Sequence, residues 1–177
     1  MKPAIDERVL LLSRRWTHHA THSGYDILGQ YISQMISATR PIPSLLLPDR
    51  LFWQATKRMA GYDRTGAALE LRALTHMAVH RDYLYHLLYA DNCFNYLGQL
   101  NGWRGHQVVA SFHLPPRRLA AWLGNSAVLR QLAAVILLGS TQVTFFAGFL
   151  PRERIFVVPY AVDTTFFTPP AAFTERA

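Results

Sequence analysis

Residues 134–158 read AVILLGSTQVTFFAGFLPRERIFVV, and this stretch decides between a membrane span and a buried βαβ unit. No charged residue lies between Arg130 and Arg152, so the stretch is long and apolar enough to resemble a transmembrane helix. The polar residues 139–142 would then lie at the centre of the bilayer, where polar groups are costly. The pattern instead predicts a buried strand at Ala134–Leu138, followed by a helix that begins at Ser140 and ends near Gly148.

Other apolar runs along the chain have the length and composition of strands. Most are continuous rather than alternating, as expected for strands buried on both faces of a parallel sheet. Segments with helical spacing lie between them, so we predict an α/β domain, a Rossmann-like parallel sheet flanked by helices. The further predicted strands are Val9–Leu12, Ser44–Leu47, Leu84–Tyr89, Gln107–Phe112 and Ile155–Val158; apolar helical stripes fall within residues 27–36 and 51–59 and at Ala67, Leu71, Leu74 and Ala78.

Length and composition indicate one compact globular domain. The chain has 177 residues, of which 50% are hydrophobic and only 16% are charged. The single cysteine, Cys93, excludes a disulfide framework and a CxxC metal site, which fits a reducing compartment. Because Met1–Glu7 lacks the apolar core of a signal peptide, we expect a cytoplasmic protein.

The net charge of +7 is carried mainly by arginine, since Lys2 and Lys57 are the only lysines. An arginine-rich surface suits phosphate and carboxylate groups, because the planar guanidinium can donate two parallel hydrogen bonds. A solvated surface without a specific partner and attraction to a phosphorylated or membrane-bound substrate both remain open. No basic run with interleaved aromatic residues occurs, so nucleic acid is not an expected partner.

Polar side chains follow four of the predicted strands. Since ligands of open parallel sheets bind beyond the carboxyl ends of the strands, these side chains predict a site at that edge. His113 is the principal candidate, because an imidazole at a strand tip can bond a sugar hydroxyl or transfer a proton. The stretches are residues 13–23 after the first strand, Asp91 and Asn92, His113 with Arg117 and Arg118, and residues 139–141.

Each candidate has a simpler interpretation. His113 could be satisfied locally by backbone groups, and Asp91 and Asn92 could form an Asx turn. The histidines at 18, 19 and 22 could bind a metal, contact a substrate or lie in a surface loop. Ser23 and Gly24 could bind an anion at the start of a helix or merely cap it. The chain lacks GxGxxG after the first strand, a P-loop and a GxSxG elbow, which disfavours the enzymes that use them.

Two segments carry a family resemblance. Residues 154–163, RIFVVPYAVD, with Phe166 or Phe167 and Pro169 after them, are similar to the end of the N-terminal domain of family 4 glycosyltransferases. Residues 108–113, VVASFH, resemble the strand of that family whose histidine lies at the active cleft. Ala161 departs from the glycine that usually precedes Val-Asp, and the first loop has one glycine where the family commonly has two.

The resemblance implies the N-terminal, acceptor-side domain of a GT-B glycosyltransferase over residues 1–163. Residues 164–177 would begin an interdomain linker, and the second domain, which would bind most of the nucleotide-sugar, is absent from the sequence. The implied reaction is retaining transfer of a sugar from a nucleotide-sugar to a saccharide or lipid acceptor, without metal or cofactor. A non-catalytic domain that binds a glycan or partner, or another Rossmann-like nucleotide-sugar enzyme, is the alternative.

The resemblance also implies roles for individual residues. His113 would be catalytic, contacting the donor sugar or the reacting region. Ser23 and Gly24 would face the donor diphosphate, where helix N–H groups favour negative charge. Peripheral contact with the inner membrane face is a further expectation, because the arginines suit an anionic surface. The acceptor-binding candidates are His22, Tyr25, Asp91, Asn92, Arg117 and Arg118.

Overall fold

The computed structural model describes residues 8–13, 25–35, 40–41, 64–94, 97, 103, 105–122 and 126–159. Within these residues, six strands form one sheet in which every pair of neighbouring strands is parallel. The strands are β1 (Arg8–Leu12), β2 (Arg40–Pro41), β3 (Tyr83–Leu87), β4 (Gln107–Phe112), β5 (Ala134–Leu137) and β6 (Ile155–Val157). Their order across the sheet is β2-β1-β3-β4-β5-β6.

Helices connect these strands, which confirms the predicted Rossmann-like α/β class. They are α1 (Tyr25–Met35), α2 (Arg64–Val79), α3 (Ala90–Cys93), α4 (Pro116–Trp122) and α5 (Val143–Ala147), with 3-10 turns at Ser126–Gln131, Ser140–Gln142 and Arg152–Arg154. The predicted strand at residues 44–47, the helical stripe at 51–59 and the proposed linker at 164–177 lie outside the described residues.

The predicted strand ends are close to those observed. β3 stops at Leu87 rather than at Tyr89, because the chain turns there and α3 begins at Ala90. The Leu88 N–H still donates to the Leu12 carbonyl at 3.0 Å, so the pairing of β3 with β1 extends to the turn.

Residues 134–148 form a strand and a helix, as predicted. After β5, a 3-10 turn at Ser140–Gln142 leads directly into α5, and Gly148 is the C-cap of that helix. No helix in the described part of the chain is long and apolar enough to cross a membrane.

The predicted apolar stripe of α2 is correct in part, since Ala67 is buried and Leu74 packs against the core. Leu71 and Ala78 are exposed, whereas Leu69, Ala73 and Met77 pack into the core. The helix is rotated because Glu70 faces inward, where its Oε2 accepts a hydrogen bond from the Leu97 N–H at 2.6 Å. A carboxylate that receives a backbone donor can be buried at this depth, although its charge predicts exposure.

The core lies on both faces of β3 and β4, the central strands. Phe112, at the carboxyl end of β4, is fully buried, and its ring centroid lies 6.3 Å from that of Phe94 and 4.9 Å from that of Phe146. Trp103 packs edge-on against Phe94 at 5.8 Å. Aromatic side chains thus anchor the end of β4 immediately before His113.

Candidate functional site

The carboxyl ends of β3, β4 and β5 lie at one edge of the sheet. From β1, the sheet extends to β2 on one side and to β3 and beyond on the other, so the topological switch point lies between β1 and β3. Ligands of open α/β sheets bind in the crevice at such a point. Asp91 follows β3, His113 follows β4, and Gln142 follows β5.

Asp91 and His113 are in direct contact at this edge. Asp91 is in the first turn of α3 and is almost completely buried, with a relative exposure of 6%. Its Oδ2 lies 2.8 Å from His113 Nδ1 and accepts a second hydrogen bond from the His113 backbone N–H at 2.7 Å. Its Oδ1 accepts a longer bond from the Leu114 N–H at 3.3 Å. The carboxylate therefore fixes both the backbone and the ring of His113.

An aromatic ring also lies against the imidazole of His113. The Tyr89 ring lies against the His113 ring, with centroids 5.1 Å apart and planes inclined by 54°. Tyr89 is the last residue before α3, so the segment that supplies Asp91 also supplies this ring. His113 itself is half-buried.

Gln142, which follows β5, joins the ends of β4 and β5 through hydrogen bonds to their backbones. Its Nε2 donates to the carbonyls of Phe112 at 3.2 Å and Leu114 at 2.9 Å, which flank His113. Its Oε1 accepts from the N–H groups of Leu138 and Gly139, both at 3.1 Å. All four bonding positions of the carboxamide are thus used, and the residue is buried.

The sequence did not identify Gln142 as a site residue. Residues 139–141 were placed at the carboxyl edge, but Gln142 was recognised only as part of the polar interruption that argues against a membrane span. The available signal was a carboxamide within an otherwise apolar stretch, since a buried amide must find hydrogen-bond partners. Which backbone groups it joins depends on the proximity of β4 and β5, which local sequence does not reveal.

The other predicted site residues are distributed as follows. Asn92 is half-buried beside Asp91, and its backbone N–H donates to the Tyr89 carbonyl. Arg117 and Arg118 are exposed in the first turn of α4, which begins at Pro116. Tyr25 is the first residue of α1. His22, Ser23, Gly24 and the other two histidines of the first loop lie outside the described residues.

A second histidine, His86, is buried between β3 and β4. Its Nε2 lies 2.9 Å from Ser111 Oγ, and its exposed fraction is 8%. Burial lowers the pKa of His86 from 6.5 to about 4. The imidazole is therefore neutral in the folded protein at neutral pH, and its contact with the buried Ser111 is consistent with a structural role.

We expect His86 to make the protein less stable as the pH falls. Below pH 6.5 the unfolded chain binds a proton at this position, whereas the folded protein does so only near pH 4. The stability that depends on neutral His86 is therefore present above pH 6.5 and falls by about 3 kcal/mol as the pH drops to 4. Urea unfolding of the natural chain and of the double variant His86→Leu, Ser111→Ala at several pH values would measure this. An equally steep decline in the variant would contradict the assignment.

The opposite, amino-terminal edge of the sheet carries a histidine and tyrosine cluster. His76 Nδ1 lies 2.8 Å from Tyr85 Oη, and the rings of His76 and His80 stack with centroids 4.3 Å apart. Burial, followed by the nearby His80, lowers the pKa of His76. In the described ranges, no group of three or more His, Cys, Asp or Glu side chains is arranged to hold a metal ion. The ring contacts of this cluster pack the end of α2 against β3.

No model of a known protein family matches the chain, and comparison with curated proteins and with solved structures gave no significant match. The structure therefore defines a class, a parallel α/β domain of Rossmann-like form. The likeness to family 4 glycosyltransferases rests on the residues quoted from the sequence.

Proposed function

We propose that this chain is the acceptor-side, N-terminal domain of a GT-B glycosyltransferase that resembles family 4. The enzyme would transfer a sugar from a nucleotide-sugar to a saccharide or lipid-linked acceptor with retention at the anomeric carbon. The observation that best supports the proposal is the position of His113. It follows β4 at the carboxyl edge of a parallel sheet. Its segment is held in place by Asp91 and by Gln142, which bonds the carbonyls of Phe112 and Leu114.

The chemistry of this edge is suited to a sugar. A half-buried imidazole lies beside a buried aromatic ring, and sugars present hydroxyl groups and apolar C–H faces that suit such a pair. Because His113 Nε2 is enclosed in this structure, a sugar would reach it only after the surrounding side chains shift. Because the backbone on either side of His113 is fixed by buried side chains, the ring is pre-organised. Such a group loses little conformational entropy when it binds a ligand.

The remaining residues would act around His113. Ser23 and Gly24, immediately before α1, would face the donor diphosphate through the N–H groups at the start of that helix. Arg117 and Arg118, exposed on α4, would contact an acceptor phosphate or an anionic membrane surface. His22, Tyr25 and Asn92 would contribute to the acceptor site. The proposal assigns most of the nucleotide to a second domain, so acceptor binding is the property to test in this chain.

Ligand-detected NMR, together with protein-detected spectra, tests the proposal directly with a panel of glycosides, detergent-solubilised glycolipids and nucleotide-sugars. We expect at least one sugar ligand to bind and to shift the His113 resonances. The variant His113→Ala should weaken that binding by about tenfold or more, because it removes a hydrogen bond in a partly desolvated site. His80→Ala is the matched control, since it removes a half-buried imidazole from the opposite edge of the sheet.

Two outcomes would contradict the proposal. If no sugar or nucleotide-sugar binds while a nicotinamide or flavin dinucleotide does, another Rossmann-like enzyme is the better interpretation. If a sugar binds equally well to the natural chain and to His113→Ala, the site is not at the carboxyl end of β4.

A further inference from the structure

Two histidines, His76 and His80, lie one helical turn apart at the end of α2. His76 is in the last turn of that helix, and the His80 N–H donates to the His76 carbonyl at 2.9 Å, so helical geometry continues through His80. Residues four apart on a helix share a face. The two imidazole rings are therefore neighbours, with centroids 4.3 Å apart and planes inclined by 32°.

Three ring nitrogens of this histidine pair are available to a ligand from solution. The fourth, His76 Nδ1, lies 2.8 Å from the hydroxyl oxygen of Tyr85. Among the described residues, neither His76 Nε2 nor a ring nitrogen of His80 has a hydrogen-bond partner, and none of the three is an enclosed polar atom. Both residues are half-buried, so each imidazole reaches the surface.

Neighbouring side chains hold the histidine pair in position. A metal-binding histidine usually bonds a second group through its other nitrogen, which fixes the orientation of the ring. The Tyr85 hydroxyl is placed for this role, because it can accept from His76 Nδ1–H whenever Nε2 carries a metal ion. The Tyr83 ring packs edge-on against both imidazoles, at centroid distances of 4.8 and 5.5 Å. The orientation of the pair thus does not depend on a bound ion.

The charges near the histidine pair permit a cation there. Burial, followed by the neighbouring His80, lowers the pKa of His76, and Asp82 opposes this shift. The His76 ring is therefore available at neutral pH in the neutral form that metal ions require. The adjacent Arg81 donates to His106 Nε2 at 3.4 Å, so its guanidinium is engaged outside the pair.

We propose that His76 and His80 together bind one divalent transition-metal ion, with water completing its coordination. Imidazole nitrogens suit Zn²⁺, Cu²⁺ and Ni²⁺, whereas Mg²⁺ and Ca²⁺ prefer oxygen ligands. Two nitrogens on one tetrahedral ion lie about 3.4 Å apart at metal–nitrogen distances of about 2.0 to 2.1 Å. A small rotation of two rings whose centroids are 4.3 Å apart provides that separation.

The proposed metal site is separate from the proposed sugar site. The histidine pair lies at the amino-terminal edge of the sheet, whereas His113 lies at the carboxyl edge. Two protein ligands make an open, exchangeable site, unlike the four ligands of a closed structural zinc site. Because the two nitrogens approach each other only while residues 76–80 are helical, the ion would stabilise the end of α2 against β3.

Calorimetric titration of the untagged chain with Zn²⁺ at about pH 7.5 tests the site. We expect saturable binding, and His80→Gln should weaken it by about tenfold or more, because one of two protein ligands is lost. His80→Gln is preferred to His76→Gln because the His80 side chain makes ring contacts and no hydrogen bond among the described residues. Mg²⁺ is the control ion and should not bind at the pair.

The first loop offers a matched control variant, since His18 and His22 are also four residues apart. His22→Gln should bind Zn²⁺ within about twofold of the natural chain. Loss of binding in His22→Gln, with retention in His80→Gln, would place the ion in the first loop and overturn the proposal.

Long-range ¹H–¹⁵N NMR of the ¹⁵N-histidine-labelled natural chain locates the ion even if a variant does not fold. Zn²⁺ should shift the ring signals of His76 and His80 and leave those of His86 unchanged, because His86 is buried between β3 and β4. Zn²⁺ should also raise the Tm of the natural chain more than that of His80→Gln. Absence of Zn²⁺ binding, equal binding in His80→Gln, or shifts confined to other histidines would each overturn the proposal.

Discussion

Replacing Gln142 with glutamate is expected to lower the free energy of unfolding by about 3 to 5 kcal/mol at neutral pH. The substitution changes one group, from NH₂ to a carboxylate oxygen, and keeps the size of the side chain. In the natural chain, Nε2 donates to the carbonyls of Phe112 and Leu114. A charged oxygen in its place would face two acceptors in a buried position, and both carbonyls would lose their donor.

Urea unfolding at pH 7 measures the effect of Gln142→Glu, and Gln131→Glu is its matched control. Gln131 is exposed at the end of a 3-10 turn, so the same substitution there should change stability by less than about 0.5 kcal/mol. The loss should be smaller at low pH, where the neutral acid can donate to one carbonyl. A loss below about 1 kcal/mol at pH 7 would mean that the two bonds donated by Gln142 Nε2 contribute little.

Replacing Phe112 with alanine is expected to destabilise the protein by about 3 to 5 kcal/mol. The ring is completely buried between Phe94 and Phe146, and its removal leaves a cavity among rigid aromatic neighbours. The backbone of Phe112 also precedes His113, so the substitution should loosen the site as well. Thermal and urea unfolding measure the stability.

The chain supplies a close comparison for Phe112→Ala in another strand. Phe156, in β6, is 52% exposed, so Phe156→Ala removes the same atoms with much less loss of buried area. We expect a change of about 1 kcal/mol or less there. Equal losses in the two variants would show that burial of the Phe112 ring is not what stabilises β4.

Much of the fold could be predicted because buried parallel strands leave a simple pattern. β4 was predicted at its observed bounds, since residues 107–112 are mainly apolar and are followed by a polar histidine. α2 was predicted as a helix, but its buried face was predicted only in part, because Glu70 is buried through a bond to the distant Leu97 backbone. Spacing alone cannot reveal a partner 27 residues away.

The candidate site was predictable in its location and less so in its interactions. Asp91 and His113 were both expected at the carboxyl edge, because each follows a strand of a parallel sheet. Their direct hydrogen bond depends on β3 and β4 being neighbours and on a register that pairs Leu87 with Ala110. Gln142 was missed for the same reason, since its partners belong to a different strand.

The position of the only cysteine provides a natural reporter of motion at this edge. Cys93 lies two residues after Asp91 in α3, its thiol donates to the Tyr89 carbonyl at 2.8 Å, and it is buried. A thiol reagent can reach it only when α3 moves away from the sheet, so the modification rate measures the free energy of that opening. A rate equal to that of global unfolding would mean that Asp91 is held as firmly as the core. A faster rate would mean that the segment carrying Asp91 opens separately, and no substitution in the chain is needed to measure it.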